Sequence, residues 1–281
     1  MSFRIATAQY PIQKHTDLAG WKDYVESWVQ EATSNHAKLL VFPEFGSMEL
    51  FSVMPEKVQK SLSAQIKEMT KLHDEFVETY QVLAQKYECF LLAPSIVVLN
   101  EEKETVNRAY FFGPSGGVSF QEKNHTSRLE NEKWGVVTGD ASLQVFETGL
   151  GDIGVSMSDD VQFPTSANKL AKEGIKILLA PSYTKDLQGA HRVHIGARAR
   201  ALENQFYVIV SQTVGEALWS LAVDRNNGFA AVYGPADQGF PEDGIVAKGE
   251  VNEPGWLYAE LDLDKVDHVR SKGDTLNFKQ S

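Results

Sequence analysis

A layered α/β sandwich is the fold class this sequence predicts, and three observations carry it. Short apolar runs that stop at a proline or an acid alternate with stretches of helical apolar spacing. Two β-prone runs flank the turn-forming GPSGG at 113–117, so antiparallel pairs accompany the alternation. No short-period repeat, low-complexity tract or linker divides the 281 residues, whose 42% hydrophobic content is ample for one large core.

Taken in order, residues 3–10 are β-prone and ended by Pro11, which reads as a first strand and not as a leader peptide. Asp17 caps a helix in which Trp21, Tyr24, Val25, Trp28, Val29 and Ala32 recur at helical spacing. Residues 38–42, KLLVF, are a continuous apolar run of the kind buried on both faces, broken at Pro43-Glu44. One long helical pattern fills 55–86, clearest at Met69, Leu72, Phe76, Tyr80 and Leu83. A single strand is expected over 89–98, then a hairpin of 105–112 and 118–122. The polar stretch 124–140 lacks periodicity and reads as an ordered loop, a length that is often functional.

Strands follow at 143–146 and 153–157, then a helix over 166–173 closed by Gly174 and a strand over 175–180 broken at Pro181. A helix at 191–204 precedes strands at 206–212, 229–233, 245–251 and 256–263 and a last helix at 264–270. Residues 1–275 are thus expected to form one domain, with 276–281 a polar tail.

The formal net charge of -11 argues against a role in holding nucleic acid or anionic membrane. The single cysteine, Cys89, excludes an internal disulfide framework and a multi-cysteine metal site, and it fits a reducing cytoplasm. No apolar segment approaches the ~20 residues that a membrane span needs. Neither a metal nor another cofactor is expected.

Chemistry is suggested where apolar strands stop. In GDIGVSMSDDVQFP, residues 151–164, the strand ends at Ser158 and Phe163-Pro164 opens a helix. A small nucleophile on such a turn is pushed out of the sheet at the end where open α/β sheets bind ligands. Glu44 in VFPEFG and Lys123 in FQEKNH occupy comparable ends. A carboxylate base, an ammonium for a developing oxyanion and a nucleophile form a set that can run acyl transfer. Three unrelated loop residues would give the same spacing.

The segments LLVFPEFG (39–46), QEKNH (121–125) and GVSMSDDVQFP (154–164) resemble the three signature segments of the nitrilase superfamily of carbon–nitrogen hydrolases. TAQYP, Asn107, LLAPSYT (178–184), RARALENQFYVIVSQTVG (198–215) and LDLDKV (261–266) extend that resemblance over nearly the whole chain. It implies a four-layer αββα sandwich, a small amide as substrate, and a homodimer or larger assembly paired through helices near the site. GFPEDGIVAKGE (239–250) and the 125–135 loop look most like the amidase-like branches.

Carried over by position, Glu44 is the general base and Lys123 the oxyanion stabiliser, while Ser158 stands where the family has its cysteine. A second family glutamate that positions substrate is matched by Glu132 or Glu130, the distance to Gly139-Asp140 favouring Glu132. Trp134, Asp159, Tyr183 and Thr184 are candidates for lining the pocket. Cys89 lies in the wrong segment and reads as a small core residue.

A serine hydroxyl is a far poorer match than a thiol for a carboxylate base, so the chain as written is expected to be inactive or strongly impaired. Two explanations compete: an introduced Cys→Ser change in a competent amidase, and a natural relative that has kept only a binding or scaffold role. Asp159, Thr165 and Asn168 also depart from the family around the turn, and one engineered change would not produce them. A metal reading of Asp159-Asp160 lacks a third ligand, and Asp160 fits a structural role at the turn. His191 and His194 are one helical turn apart, with Arg192 and Arg198 around them, and are expected on a solvated or subunit-facing helix face. Arg200, Glu203 and Asn204 are read as packing and positioning residues.

Overall fold

The structure is a computed structural model that describes residues 1–140 and 142–280. Its strands are β1 (Ser2–Pro11), β2 (Leu39–Val41), β3 (Phe90–Leu92), β4 (Ile96–Leu99), β5 (Thr105–Phe112), β6 (Val118–Glu122), β7 (Ile153–Val155), β8 (Ile177–Ser182), β9 (Tyr207–Glu216), β10 (Arg225–Asn226), β11 (Ala231–Tyr233), β12 (Ile245–Lys248) and β13 (Gly255–Asp262). The helices are α1 (Leu18–Ser34), α2 (Glu56–Gln59), α3 (Leu62–Met69), α4 (His73–Lys86), α5 (Pro164–Lys172), α6 (Leu187–Asn204), α7 (Leu263–Lys272) and α8 (Asn277–Gln280).

Strand alternation builds four layers. One half of the sheet runs from β1 through β2 and β3 to β5, and the other joins β7, β8, β9 and β11. Successive side chains of a strand point to opposite faces. Ile5, Leu39 and Val41 of the first half meet Ile177, Leu179, Tyr207 and Ile209 of the second in one buried cluster between them. Their alternates Ala6, Ala8 and Leu40 face outward onto Trp21, Val25 and Phe76 of α1 and α4. On the far side Leu178, Ala180, Val208 and Val210 pack on Leu170, Val193 and Ala197 of α5 and α6. Helix, sheet, sheet and helix are therefore glued by three apolar layers, as an αββα sandwich requires. The halves meet where Gln9, Tyr10 and Pro11 pair in parallel with Gln212, Thr213 and Val214.

Several elements depart from expectation for local reasons. The pattern over 55–86 is three helices, because the Ser61 hydroxyl caps α3 by accepting from the Ala64 N–H and the chain turns again at 70–72. The strand over 89–98 is interrupted at Ala93-Pro94-Ser95, where the Ser95 hydroxyl accepts from the Phe45 N–H and its carbonyl accepts from the Ser47 hydroxyl. The break thus anchors the loop that follows β2. In the opposite sense, β8 continues through Pro181, which lies past the last β7 partner and has only β9 beside it. Residues 143–146 contribute one isolated bridge, Phe146 to Ile153, and not a strand. The 124–140 loop contains a π-helical turn, Glu130–Trp134. The expected tail forms α8, whose Phe278 ring lies 4.0 Å from the Arg270 guanidinium.

Candidate active site

Glu44, Lys123 and Ser158 each follow the C-terminal end of a strand, β2, β6 and β7 respectively. Sharp backbone bends put them there. Phe45 after Glu44 has φ 56° and Ser158 itself φ 47°, left-handed conformations that cost a non-glycine residue about 1 kcal/mol or more. At Ser158 the bend starts a 3₁₀ turn, Ser158–Gln162, and α6 packs on that turn closely enough that a Cβ at Gly196 would sit 2.9 Å from the Val161 carbonyl oxygen. Glycine at 196 is what lets helix and turn touch.

All three side chains are buried and line one cavity of about 200 Å³, together with Phe45, Glu130, Trp134, Asp159, Tyr183 and Thr184. Lys123 Nζ lies 2.8 Å from Glu44 Oε1, 2.7 Å from Glu130 Oε2 and 3.9 Å from Asp159 Oδ2. Tyr183 holds the other two residues by its peptide groups: its N–H donates to Glu44 Oε2 at 3.0 Å and its carbonyl accepts from Ser158 Oγ at 3.4 Å. Asn107 ties base to amine, since its side-chain amide donates to Glu44 at 3.0 Å while its carbonyl accepts from the Lys123 N–H at 2.9 Å. Trp134 packs edge-on against Phe45 with ring centres 4.9 Å apart, and Thr184 Oγ1 donates to the Asn227 carbonyl at 2.6 Å.

Burial pushes the Glu44 carboxyl up to about 8, with Lys123 pulling it down and Glu130 pushing it further up. Burial acts against the Lys123 ammonium too, but the carboxylates of Glu130, Glu44 and Asp159 outweigh it and hold that pKa above the usual lysine value. The floor of the cavity is therefore a charged amine beside a carboxyl poised near neutrality, the condition general-base work favours.

The structure separates the two glutamates left open by spacing. Glu130 reaches the cavity, accepts from the Ser127 N–H at 2.8 Å, and leaves its buried Oε1 without a partner among the described residues. Glu132, which spacing favoured, points away into an exposed pair with Arg128 at 2.8 Å. The π-helical turn is the reason, since it carries Glu130 and Trp134 inward on one face.

Around the turn, Asp160 accepts from the Asn124 N–H at 3.1 Å and lies 2.8 Å from His125 Nδ1, which bolts the Lys123 segment to the Ser158 segment. Its pKa is raised by burial, against the pull of Lys123 and these donors. Thr165 is exposed, and Asn168 Oδ1 is buried with no partner among the described residues. Cys89 is buried outside the cavity, and burial pushes its thiol up to about 12. Among the described residues no group of three or more His, Cys, Asp or Glu side chains is placed to hold a metal. No helix of the described residues is long and apolar enough to cross a membrane.

His194 is not on a solvated face. It is buried, stacked on Phe229 with ring centres 3.8 Å apart, and its Nδ1 meets Tyr233 Oη at 2.8 Å; His191 alone is exposed. Burial lowers the His194 pKa from 6.5 to about 4. The stability this group contributes is present above 6.5 and is lost as pH falls through about 4, because the unfolded chain binds the proton first. Urea unfolding of the parent should therefore weaken between neutral pH and about 4 by up to about 3 kcal/mol more than that of His194→Gln. Equal acid sensitivity of the two proteins would contradict that burial.

Spacing also missed the rim formed by Lys185, Asp186, Gly189 and Arg192. The signal was present, because Asp186 caps α6 by accepting from the Gly189 N–H at 2.7 Å, and this starts the helix at Leu187 instead of 191.

A family profile described as carbon-nitrogen hydrolase matches residues 4–271. The chain belongs to the carbon–nitrogen hydrolase family. Among the relatives of this family member is the probable hydrolase YhcX of Bacillus subtilis, 31% identical over 276 residues, 98% of this chain and 53% of the relative. The chain thus spans about half the length of that relative. Omega-amidase NIT2 of Danio rerio is 25% identical over 279 residues, covering 96% of this chain and 92% of the relative. In fold the chain is similar to a carbon-nitrogen hydrolase from Helicobacter pylori G27, with TM-score 0.79, 20% identity and coverage of 100% and 94%.

Proposed function

We propose that the cavity is an amidase-like site for a small amide, in which Ser158 at the nucleophile position leaves hydrolysis strongly impaired. The observation that carries the reading is the Lys123 ammonium held between Glu44 and Glu130 on the floor of the cavity that Ser158 also lines. In a form with a thiol at 158, Glu44 takes the thiol proton and sulfur attacks the amide carbonyl. Lys123 stabilises the oxyanion. The amine leaves with the proton from Glu44, and water then cleaves the thioester by the reverse sequence. The unpartnered Glu130 Oε1 is an acceptor suited to the amide N–H.

With oxygen at 158 the proton transfer is the obstacle, since a carboxyl near 8 is still a weak base for a hydroxyl. The result is a site that binds an amide and turns it over slowly. A purely binding relative is the second reading, favoured by Asp159 in the cavity wall and by the departures at Thr165 and Asn168. Ammonia release from a panel of small aliphatic amides, carbamoyl compounds and nitriles separates the two. Release by Ser158→Cys but not by the parent supports the impaired amidase. Silence from both folded proteins supports the binding relative.

Two copies are proposed to pair through α6, which packs on the Ser158 turn and leaves Ile195 70% and Leu202 44% exposed. Apolar side chains so open on one helix suit an interface. Ile195→Asp should convert a dimer to a monomer in light scattering, and a parent that is already monomeric would remove the proposal.

A further inference from the structure

We infer that Asp159 restrains the anion on which this site depends: its carboxylate draws on the Lys123 ammonium, so that position 159 as well as position 158 keeps the chemistry slow. For its effect on turnover the inference rests on the amidase reading; for its effect on a thiol at 158 it does not.

An ammonium stabilises a developing oxyanion by presenting positive charge that nothing else has cancelled. On the floor of this cavity Lys123 faces three carboxyl groups, with Glu130 Oε2 at 2.7 Å, Glu44 Oε1 at 2.8 Å and Asp159 Oδ2 at 3.9 Å. Burial holds the Glu44 carboxyl up at about 8, so near neutrality it takes little charge from the amine. The Glu130 carboxylate alone balances the ammonium. The Asp159 carboxylate is the surplus, and it sits on the residue next to the nucleophile position.

The geometry makes this a matter of charge and not of support. Asp159 Oδ1 accepts from the Gln162 side chain at 2.8 Å, which leaves Oδ2 on the Lys123 side at a distance too long for a hydrogen bond. The turn is braced by its neighbour, since Asp160 takes the Asn124 N–H and lies against His125. The remaining charged groups of the cavity, Lys185, Asp186 and Arg192, belong to the rim, where Lys185 pairs with Asp224 at 3.2 Å and Asp186 accepts from the Gly189 N–H. Asp159 is also one of the three departures from the family around this turn. Its charge is among those that push Glu44 up, behind burial and Glu130 and against the pull of Lys123. With the side chain 35% exposed, water screens part of the effect, which sets its scale at tens and not thousands of fold.

The test compares Ser158→Cys with and without Asp159→Asn, a change that removes the charge and keeps an oxygen for Gln162. The first readout needs no substrate: the pH dependence of alkylation of the introduced thiol by iodoacetamide, followed by mass spectrometry of the peptide carrying position 158. Cys89 is buried, with its thiol pushed up to about 12, and is distinguished by its own peptide. Asp159→Asn should move the alkylation midpoint down by about one pH unit. The second readout is amide turnover, where kcat should rise about tenfold with KM little changed, because a neutral ground-state amide feels the charge less than an oxyanion does. The rise of kcat/KM with pH should move to lower pH as well. Asp159→Glu, which keeps the charge, should remain as slow as Ser158→Cys alone, and Glu132→Gln, which removes a charge outside the cavity, should change neither readout. An alkylation midpoint that stays or rises, or that falls equally with Glu132→Gln, would overturn the inference; so would a kcat that drops with Asp159→Asn. Turnover by Ser158→Cys that Asp159→Asn leaves unmoved removes the inference and keeps the amidase reading. A shifted midpoint with no amide turned over by any variant keeps the charge effect on the thiol and removes the amidase reading.

Discussion

Lys123→Met should cost about 3–5 kcal/mol of stability at pH 8, the scale on which removing one partner of a buried ion pair is felt. In the parent one ammonium serves Glu44 and Glu130, all three almost fully buried. Without it, Glu44 retains only the Asn107 amide and the Tyr183 N–H as donors, and Glu130 retains the Ser127 N–H. Neutral donors do not replace a charge at that depth. The loss should shrink as pH falls, because protonation discharges the stranded carboxyls. In the parent the Glu44 carboxyl already sits at about 8, above its ordinary 4.5. Its contribution is full below 4.5 and disappears as pH rises through about 8, so the folded state prefers the proton. Denaturant titrations of parent and variant at pH 5 and 8, each value set within about a unit of that window, check both the size and the sign. A variant as stable as the parent at pH 8 would mean that the charges are not buried together.

Ser158→Cys is expected to raise amide turnover by about 10²-fold or more, the range a working general base supplies. The thiol is easier to ionise than the hydroxyl, and Lys123 near the same carboxyl favours the anion. Because Glu44 must be unprotonated to take the thiol proton, kcat/KM of the variant should climb as pH rises through about 8, and should not level off in the ordinary carboxylate range. Adding Glu44→Gln should remove the gain. A profile already flat above pH 5, within about a unit, would show that Glu44 is an ordinary carboxylate and not the base.

Strand cores were readable because LLVF at 39–42 and ILLA at 177–180 are apolar without interruption, as strands covered on both faces are. The same property made the ends readable, since Glu44 and Ser158 are polar where such runs stop. What periodicity could not show depended on contacts far apart in sequence. Glu130 and Glu132 differ by two positions, and a π-helical turn, invisible to a 3.6-residue count, decides which faces Lys123. His194 looks like a surface residue beside Arg192 and Arg198, and only the arrival of Phe229 and Tyr233 encloses it. Pro181 reads as a strand breaker until β7 is seen to end before it. The Asn107 tether joins residues 63 apart, and no local pattern announces it.

The proposed reaction requires one cavity to bring the Glu44 carboxyl, the Lys123 amine and position 158 to bear on one carbonyl. Intact-protein mass spectrometry of Ser158→Cys, quenched during turnover of an amide, tests it most directly. An acyl adduct that maps to the peptide carrying position 158, and is lost when Glu44→Gln is added to remove the base, is the predicted result. Amide consumption with no adduct, or an adduct on Cys89, would contradict it.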